Sequence, residues 1–443
     1  MKLRDYKHVH CIGIGGIGLS AIGRYCHAHG AKVSGSDISL SRITEDLEKE
    51  GITIYKGHHA NNLPPEIDLV IYTIAATENN PELKEARARG VMCMTYPEAL
   101  GLLTKEYTTI AICGTHGKTT TTAMVASMMK ACGKNPTVIV GSLLSNGGLN
   151  ATGDSVASPG HQKDGLGTNF IQGDSEYLIV EACEYKRSFL NLHPTHIIVT
   201  NIDADHLDYY KDLADIQSAF QSFADKLPSS GSLITHANVD LVTIAKKING
   251  DVISEDEIHL SVLGGHNKRN AQLALALAST LGLSESKARE GLLAFKGTWR
   301  RLEYKGIWHD IAMYDDYGHH PTEIKATLQA LREKYPHGKY TLYVVFQPHL
   351  FSRTQALLDD FANSFIDADK ICIMPIYAAR EVDDGSISSH DLVEKTHNAI
   401  SMETFDEIQK YVLGRPHYKC VLLTLGAGDV FTFHDSLDEV RTS

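Results

Sequence analysis

Short β-type runs alternate with helical patterns from one end of the chain to the other, and that rhythm is met by parallel α/β domains. In the first hundred residues the runs are "HVHCIGI", "AKVSGSD", "ITIYKG", "DLVIYTI" and "VMCMT", with helical stretches such as Ile17 to His29 and Pro81 to Arg89 between them. A second block carries "YTTIAICG", "YLIVEA", "HIIVTNI" and "GSLITHA", and a third carries "YTLYVVFQP", "KICIMPI" and "KCVLLTLGAG". At 443 residues the chain exceeds one ordinary core, so two or three domains are expected. Boundaries near Lys105 and Lys296 give domains of residues 1–105, 106–295 and 296–443. Asn146 to Asp174, rich in Gly, Ser and Asn, reads as a long surface loop, and there is no internal repeat.

The net charge of −12, without a stripe of Lys and Arg, disfavours a nucleic-acid partner, which needs clustered cations on phosphates. No window reaches the length of a bilayer span, and the N-terminal apolar stretch is too short and glycine-rich for a signal peptide. The eight cysteines form no CxxC pair, and Cys11, Cys113 and Cys372 sit inside apolar runs. They read as reduced core residues of a cytoplasmic protein.

Two glycine turns carry the chemistry. Gly13-Ile14-Gly15-Gly16-Ile17-Gly18 is G-x-G-x-x-G between a strand and a helix, and Asp37 ends the next strand about twenty residues on. Bare backbone at a helix start favours any diphosphate, so a nicotinamide dehydrogenase, another nucleotide, and a turn without ligand all remain open. In the second turn, "AICGTHGKTTTTAM", only two residues separate Gly114 from Gly117, where the usual phosphate loop has four. Lys118 at a helix N-terminus opposes the helix dipole, which argues for an anion at that place. Thr119 offers a hydroxyl for Mg²⁺.

"GTHGKTTTT", following "GIGGIG" and "SGSD", resembles the ATP loop of the Mur ligases, and "EACE", "TNIDADHLD", "GGHNKRNA", "WRRLE", "DDYGHHPTE", "FQPH" with Arg353, and "LGAGD" follow in that family's order. The resemblance covers almost the full length. It implies three α/β domains: an N-terminal Rossmann-like one for UDP, a central parallel-sheet one like the phosphate-loop ATPases, and a C-terminal Rossmann-like one. Within the family the motifs are most similar to the branch that joins L-alanine to the lactyl carboxylate of UDP-N-acetylmuramate, through an acyl phosphate, in peptidoglycan precursor synthesis. A ligase that recycles murein tripeptide is the nearest alternative. An NAD-dependent dehydrogenase, or a nucleotide-gated regulator without transfer chemistry, is the alternative of another class.

The resemblance assigns residues as follows. Gly15, Gly16, Ile17 and Gly18 face the diphosphate, with Ser36 and Asp37 near the uridine. Gly114, Thr115, His116, Gly117, Lys118, Thr119 and Thr120 hold ATP, with Asn267 on the adenine, His266 and Asn270 in support, and Arg300 or Arg301 and Asp316 from the third domain. His116 is open to a purely structural role, and Asn267 to that of a helix N-cap. Lys118, Glu181 and His206 are the catalytic set, and Thr119, Glu181 and His206 the ligands of Mg²⁺ (or Mn²⁺); His206 alone reads equally well as a surface-loop residue. Tyr317, His349 and Arg353 shape the amino-acid pocket, an Arg taking the carboxylate bidentately. His319 and His320 are expected to cap the helix that begins at Pro321, with contact to phosphate as the alternative. The partners implied are small-molecule substrates, with no nucleic acid and no membrane insertion, for a monomer or weak homodimer.

The chain departs from the family pattern at Cys183 and Tyr185 inside "EACEYKRSF", and at Leu350, where some members carry a second Arg. The loop from Ala151 to Asp174 is longer than usual, and His236 to His259 shorter.

Overall fold

Three twisted sheets organise the protein. The computed structural model describes residues 2–144, 167–379, 381–414, 419–438 and 440–441. The first sheet contains β1 (His8–Ile12), β2 (Lys32–Asp37), β3 (Thr53–Lys56), β4 (Leu69–Tyr72) and β5 (Met92–Thr95), all parallel, in the order β3-β2-β1-β4-β5. Helices α1 (Ile17–Ala28), α2 (Arg42–Lys49), α3 (Pro81–Ala88) and α4 (Tyr96–Thr104) connect or follow these strands. Chain order reverses beside β1, so the turn after it lies at the switch point where open parallel sheets bind ligands.

The second sheet contains β6 (Thr108–Cys113), β7 (Thr137–Leu144), β8 (Thr168–Ile171), β9 (Tyr177–Glu181), β10 (His196–Val199), β11 (Ser232–Thr235) and β12 (Lys246–Asn249). Its order is β12-β11-β10-β6-β9-β7-β8, and only β8 runs antiparallel to its neighbour. Strands β6 and β10 are buried on both faces, as their unbroken apolar runs require. Helix α5 (Lys118–Ala131) leaves β6 through the second glycine turn and is buried along nearly its whole length. Helices α6 (Leu213–Ala224), α7 (Gly265–Thr280) and α8 (Glu285–Ala294) come later in the chain.

The third sheet contains β13 (Glu303–Trp308), β14 (Ile311–Asp316), β15 (Thr341–Phe346), β16 (Lys370–Ile373), β17 (Ala399–Ser401) and β18 (Cys420–Leu425), in the order β13-β14-β18-β15-β16-β17, with α9 (Pro321–Lys334) on one face. By contacts the chain forms two compact units. The first is Met1–Asp203, Ala214–His259 and Arg269–Lys296, with both N-terminal sheets; the second is Ala204–Leu213, Leu260–Lys268 and Gly297–Ser443.

Six strands escape the sequence reading: β7, β8, β12, β13, β14 and β17. Strand β12 is the polar edge "KKIN", three of its four residues exposed. In "EYKGIWHDIAMYDD" charged residues and a glycine interrupt β13 and β14, and their hairpin turns at His309 and Asp310, both with positive φ. The part of the expected Asn146 to Asp174 loop at residues 146–166 lies outside the described residues. Beyond it the chain forms β8 instead of loop, because "TNFI" finds the free edge of β7. All eight cysteines are free.

Candidate functional site

In the first sheet, Gly13 leaves β1 with φ +85°, and its amide and that of Ile14 bond to the Ser36 carbonyl. The Gly15 amide donates to Asp37 Oδ2 at 2.9 Å, so the acid lies over the turn. Ser36 turns inward: it is fully buried, and its hydroxyl donates to Glu82 at 2.6 Å and meets His58 Nδ1 at 2.9 Å. That geometry replaces the expected uridine contact with a supporting one. Glu82 is itself wholly buried yet stays ionised. Burial works against its charge, but hydrogen bonds from His10, Ser36 and Asn62 lower its pKa to about 2. Gly16, Ile17 and Gly18 are at least partly exposed at the start of α1.

Helix α1 is anchored to the second sheet by a residue that sequence reasoning missed. Asn169 of β8 is fully buried; its Nδ2 donates to Ser20 Oγ at 2.8 Å and to the Ile17 carbonyl, and its Oδ1 accepts from Arg24 at 2.5 Å. No spacing in a segment read as loop signals this role.

The second glycine turn is stitched to the end of β10. A β-carbon on Gly114 (φ +136°) would collide with Thr200 Oγ1, which explains the glycine. Thr115 N donates to the Asn201 carbonyl at 3.1 Å, and Asp203 N to Thr115 Oγ1 at 2.9 Å. His116 N donates to Asn201 Oδ1 at 2.9 Å, while its Nε2 lies 3.1 Å from Asp203 Oδ2. Gly117 (φ +79°) lies under the side chain of Asn270. Thr120 is buried in α5.

Lys118 Nζ lies 2.6 Å and 2.9 Å from the carbonyls of Gly114 and Thr115 and 3.0 Å from Glu184 Oε1. Burial works against its charge, but Glu184, with Cys183 and Glu181, raises its pKa above the ordinary lysine value. Glu184 is the second acid of "EACE", and its place in the sequence carries no sign of its pairing with Lys118, 66 positions away. Thr119 Oγ1 donates to Glu181 Oε1 at 3.2 Å, and Gly141 N to Glu181 Oε2 at 2.8 Å. Hydroxyl and carboxylate thus form a small hard-oxygen set beside a fixed cation at a helix N-terminus, an arrangement suited to a metal-bound phosphate.

In the second unit, the ends of β14, β15 and β18 bring "DDYGHH", "FQPH" and "LGAGD" together. Gln347 Nε2 donates to Asp429 at 2.7 Å, and Gly426 N to the Asp316 carbonyl at 3.1 Å. Arg300 is spent inside this framework: Nε donates to Asp315 at 2.9 Å, Nη1 to the Gly428 carbonyl at 3.2 Å, and Nη2 to the Gly426 carbonyl. It is 2% exposed, with Phe431 over it, so it is corrected from ATP contact to structural residue. Its neighbour Arg301 is partly exposed, beside Glu323 and Tyr317. Asp316 is clamped by the amides of Gly318 and Leu302 at 2.7 Å and 2.6 Å, and burial lifts its pKa to about 6 although Arg301 opposes the shift.

Asn267 lies inside α7, with Nδ2 donating to the Leu263 carbonyl at 2.7 Å, so the N-cap reading is corrected: the helix already begins at Gly265. His266 touches the space above Gly264, and burial lowers its pKa to about 4 against the pull of Glu323. His320 does cap α9, its Nδ1 accepting from Thr322 N at 3.3 Å. His319 does not cap; its ring lies between Tyr317 and His349, 5.3 Å and 6.0 Å from them, and burial lowers its pKa to about 3.

Arg353 donates from Nη2 and Nε to Asp205 Oδ1 at 3.0 Å and 3.3 Å, and its Nη1 lies 3.4 Å from His349 Nδ1. Both partners of the ion pair are 8% exposed. Burial works against the Asp205 charge, but Arg353 holds its carboxyl well below the usual range. His206 follows with φ +55°. Asp205, His206, Leu350 and Arg353 line a cavity of about 100 Å³.

Models of three domains match in succession: "Mur ligase family, catalytic domain" at residues 8–108, "Mur ligase middle domain" at 112–254, and "Mur ligase, glutamate ligase domain" at 300–428. The chain belongs to the Mur ligase family. As a Mur ligase it is an enzyme, an ATP-dependent ligase of three α/β domains. It is 41% identical to a UDP-N-acetylmuramate–L-alanine ligase of Clostridium acetobutylicum, over 96% of each chain. It is 38% identical to one of Agathobacter rectalis, over 97% of each. Among solved structures, the UDP-N-acetylmuramate–alanine ligase of Thermotoga maritima superposes with a TM-score of 0.78 at 28% identity, covering 97% of this chain and 98% of that one. Among the described residues of this Mur ligase, no helix is long and apolar enough to cross a membrane.

Proposed function

We propose that this Mur ligase joins L-alanine to the lactyl carboxylate of UDP-N-acetylmuramate in peptidoglycan precursor synthesis, acting in the cytoplasm as a monomer or weak homodimer. Its domains meet near Lys105 and Lys296. The observation that carries the reading is the cluster of Lys118, Thr119 and Glu181 at the carboxyl ends of β6 and β9.

A carboxylate does not yield an amide directly, because oxide is too poor a leaving group. Transfer of the γ-phosphoryl of ATP makes an acyl phosphate; the alanine amine then attacks the carbonyl carbon, and inorganic phosphate leaves. Charge gathers on phosphoryl oxygens, so Lys118 and the loop amides act by position and field. The Thr119 hydroxyl and Glu181 carboxylate, 3.2 Å apart, fit Mg²⁺ or Mn²⁺, with His206 as a ligand of a second ion. Such an ion, when bound, neutralises the developing charge. Asn267 and Asn270 serve the adenine and the loop, and of the two adjacent arginines Arg301 is the one that meets ATP. Gly15 to Gly18 and Asp37 receive the UDP. Arg353, held by Asp205, takes the amino-acid carboxylate, with Tyr317 and His349 shaping the pocket.

The names of the relatives reported above, UDP-N-acetylmuramate–L-alanine ligases, support alanine over a murein tripeptide as the donor. Family membership supersedes the dehydrogenase reading of the first glycine turn. The test is ADP release from Mg²⁺-ATP with UDP-N-acetylmuramate, with and without L-alanine, repeated with Lys118→Ala. Release that needs both substrates and is lost in the variant supports the reading. Release with a tripeptide alone moves the protein to the recycling branch.

A further inference from the structure

We propose that Tyr96 is a substrate-binding residue, its hydroxyl donating to an acceptor oxygen of the UDP-sugar acid between the diphosphate turn and the phosphate loop; this rests on the function proposed above. Tyr96 is the first residue of α4, placed there by a capping box in which Thr95 and Glu98 serve each other's backbone amides, with Pro97 next. Its ring lies against Gly18 of the first glycine turn. A β-carbon at Gly18 would stand 2.6 Å from Tyr96 Cζ and 2.8 Å from its hydroxyl oxygen. A side chain at the last glycine of G-x-G-x-x-G would therefore push this ring out of its place.

Helix α4 is held equally closely on its other side. A β-carbon on Gly101 would collide with the carbonyl of Asn191, in the segment Tyr185–Asn191 that follows Glu184. The helix thus sits between the turn that receives the diphosphate and the segment leaving "EACE". Burial raises the Tyr96 pKa above its ordinary value, with the Glu181 charge adding to the effect, so the phenol stays protonated and able to donate. Among the described residues its hydroxyl makes no hydrogen bond, and the residue is half-buried.

A ligand whose diphosphate rests on Gly15 to Gly18 has this hydroxyl beside it, since the ring lies against Gly18. Such a ligand offers phosphate, hydroxyl and acetamido oxygens at that place. A neutral donor fits it better than a second cation, because Glu181 and Glu184 would draw a cation away.

Tyr96→Phe tests the idea, since it keeps the ring over Gly18 and removes only the hydroxyl. The expected result is a KM for UDP-N-acetylmuramate raised about tenfold, with kcat and the KM values for ATP and L-alanine within about twofold. The thermal midpoint should stay unchanged. Calorimetric binding of UDP-N-acetylmuramate to the variant should weaken by the same factor. An unchanged KM and affinity in Tyr96→Phe would overturn the proposal and leave the ring as packing alone. Wild-type protein that fails to bind the UDP-sugar acid would instead remove the functional reading beneath it.

Discussion

Lys118 and Glu184 form an ion pair inside the second glycine turn, Nζ 3.0 Å from Oε1, with side chains 15% and 2% exposed. The lysine proposed to meet a phosphoryl group is thus kept charged and aimed before any nucleotide arrives, at the cost of burying an acid beside it.

Glu184→Gln keeps the shape and removes that charge. ADP release dependent on both substrates should fall about 10- to 100-fold in kcat, against near-complete loss in Lys118→Ala. Wild-type kcat in Glu184→Gln would assign the pair to structure only.

The adjacent arginines should separate cleanly. Arg300→Ala leaves Asp315 buried without its cation, which costs about 3–5 kcal/mol, and a lowered melting temperature reports it. Arg301→Ala should melt like the wild type and raise the KM for ATP about tenfold. The reverse pattern would restore Arg300 as the nucleotide contact.

Asp316 predicts a pH dependence of known sign. Its native pKa of about 6 lies above the ordinary 3.8, so the native state holds a proton that the unfolded chain releases between those values. Its stabilising contribution is complete below pH 3.8 and is lost as pH rises through 6. Asn cannot titrate, so the unfolding free energy of Asp316→Asn relative to wild type should rise by on the order of 3 kcal/mol between pH 4 and pH 7. A flat difference across that range counts against the buried, protonatable carboxyl.

Asn169→Ala should cost about 1–3 kcal/mol, because it strands the donors and acceptors it satisfies on α1. With the start of α1 loosened, the KM for UDP-N-acetylmuramate should rise while that for ATP holds. Parallel changes in both would show that the residue supports the whole unit and not the glycine turn.

Asp205→Asn weakens the hold on Arg353. The KM for L-alanine should rise about tenfold, with the other two substrates unaffected. Equal KM values for L-alanine would leave Arg353 positioned by His349 alone.

The order of motifs and the alternation of strands and helices were legible in the chain, because burial on both faces of parallel strands demands unbroken apolar runs and tight glycine turns leave few residue choices. "HVHCI", "TTIAIC" and "HIIV" became central strands, and Lys118 and Thr119 begin a helix at a turn that only glycine can make. What tertiary structure decided was the partnership of polar groups. Arg300 and Arg301 are adjacent and chemically identical, and only the closure of Asp315, Gly426 and Gly428 around one of them separates their parts. Ser36 and Asp37 are likewise neighbours on a strand, whose alternating faces send one toward Glu82 and the other toward Gly15. Asn169 to Ser20, Lys118 to Glu184 and Asp205 to Arg353 join residues 149, 66 and 148 positions apart. Hydrophobic period is a local property that a sequence displays, whereas a hydrogen bond across such separations exists only once the sheets have brought its ends together.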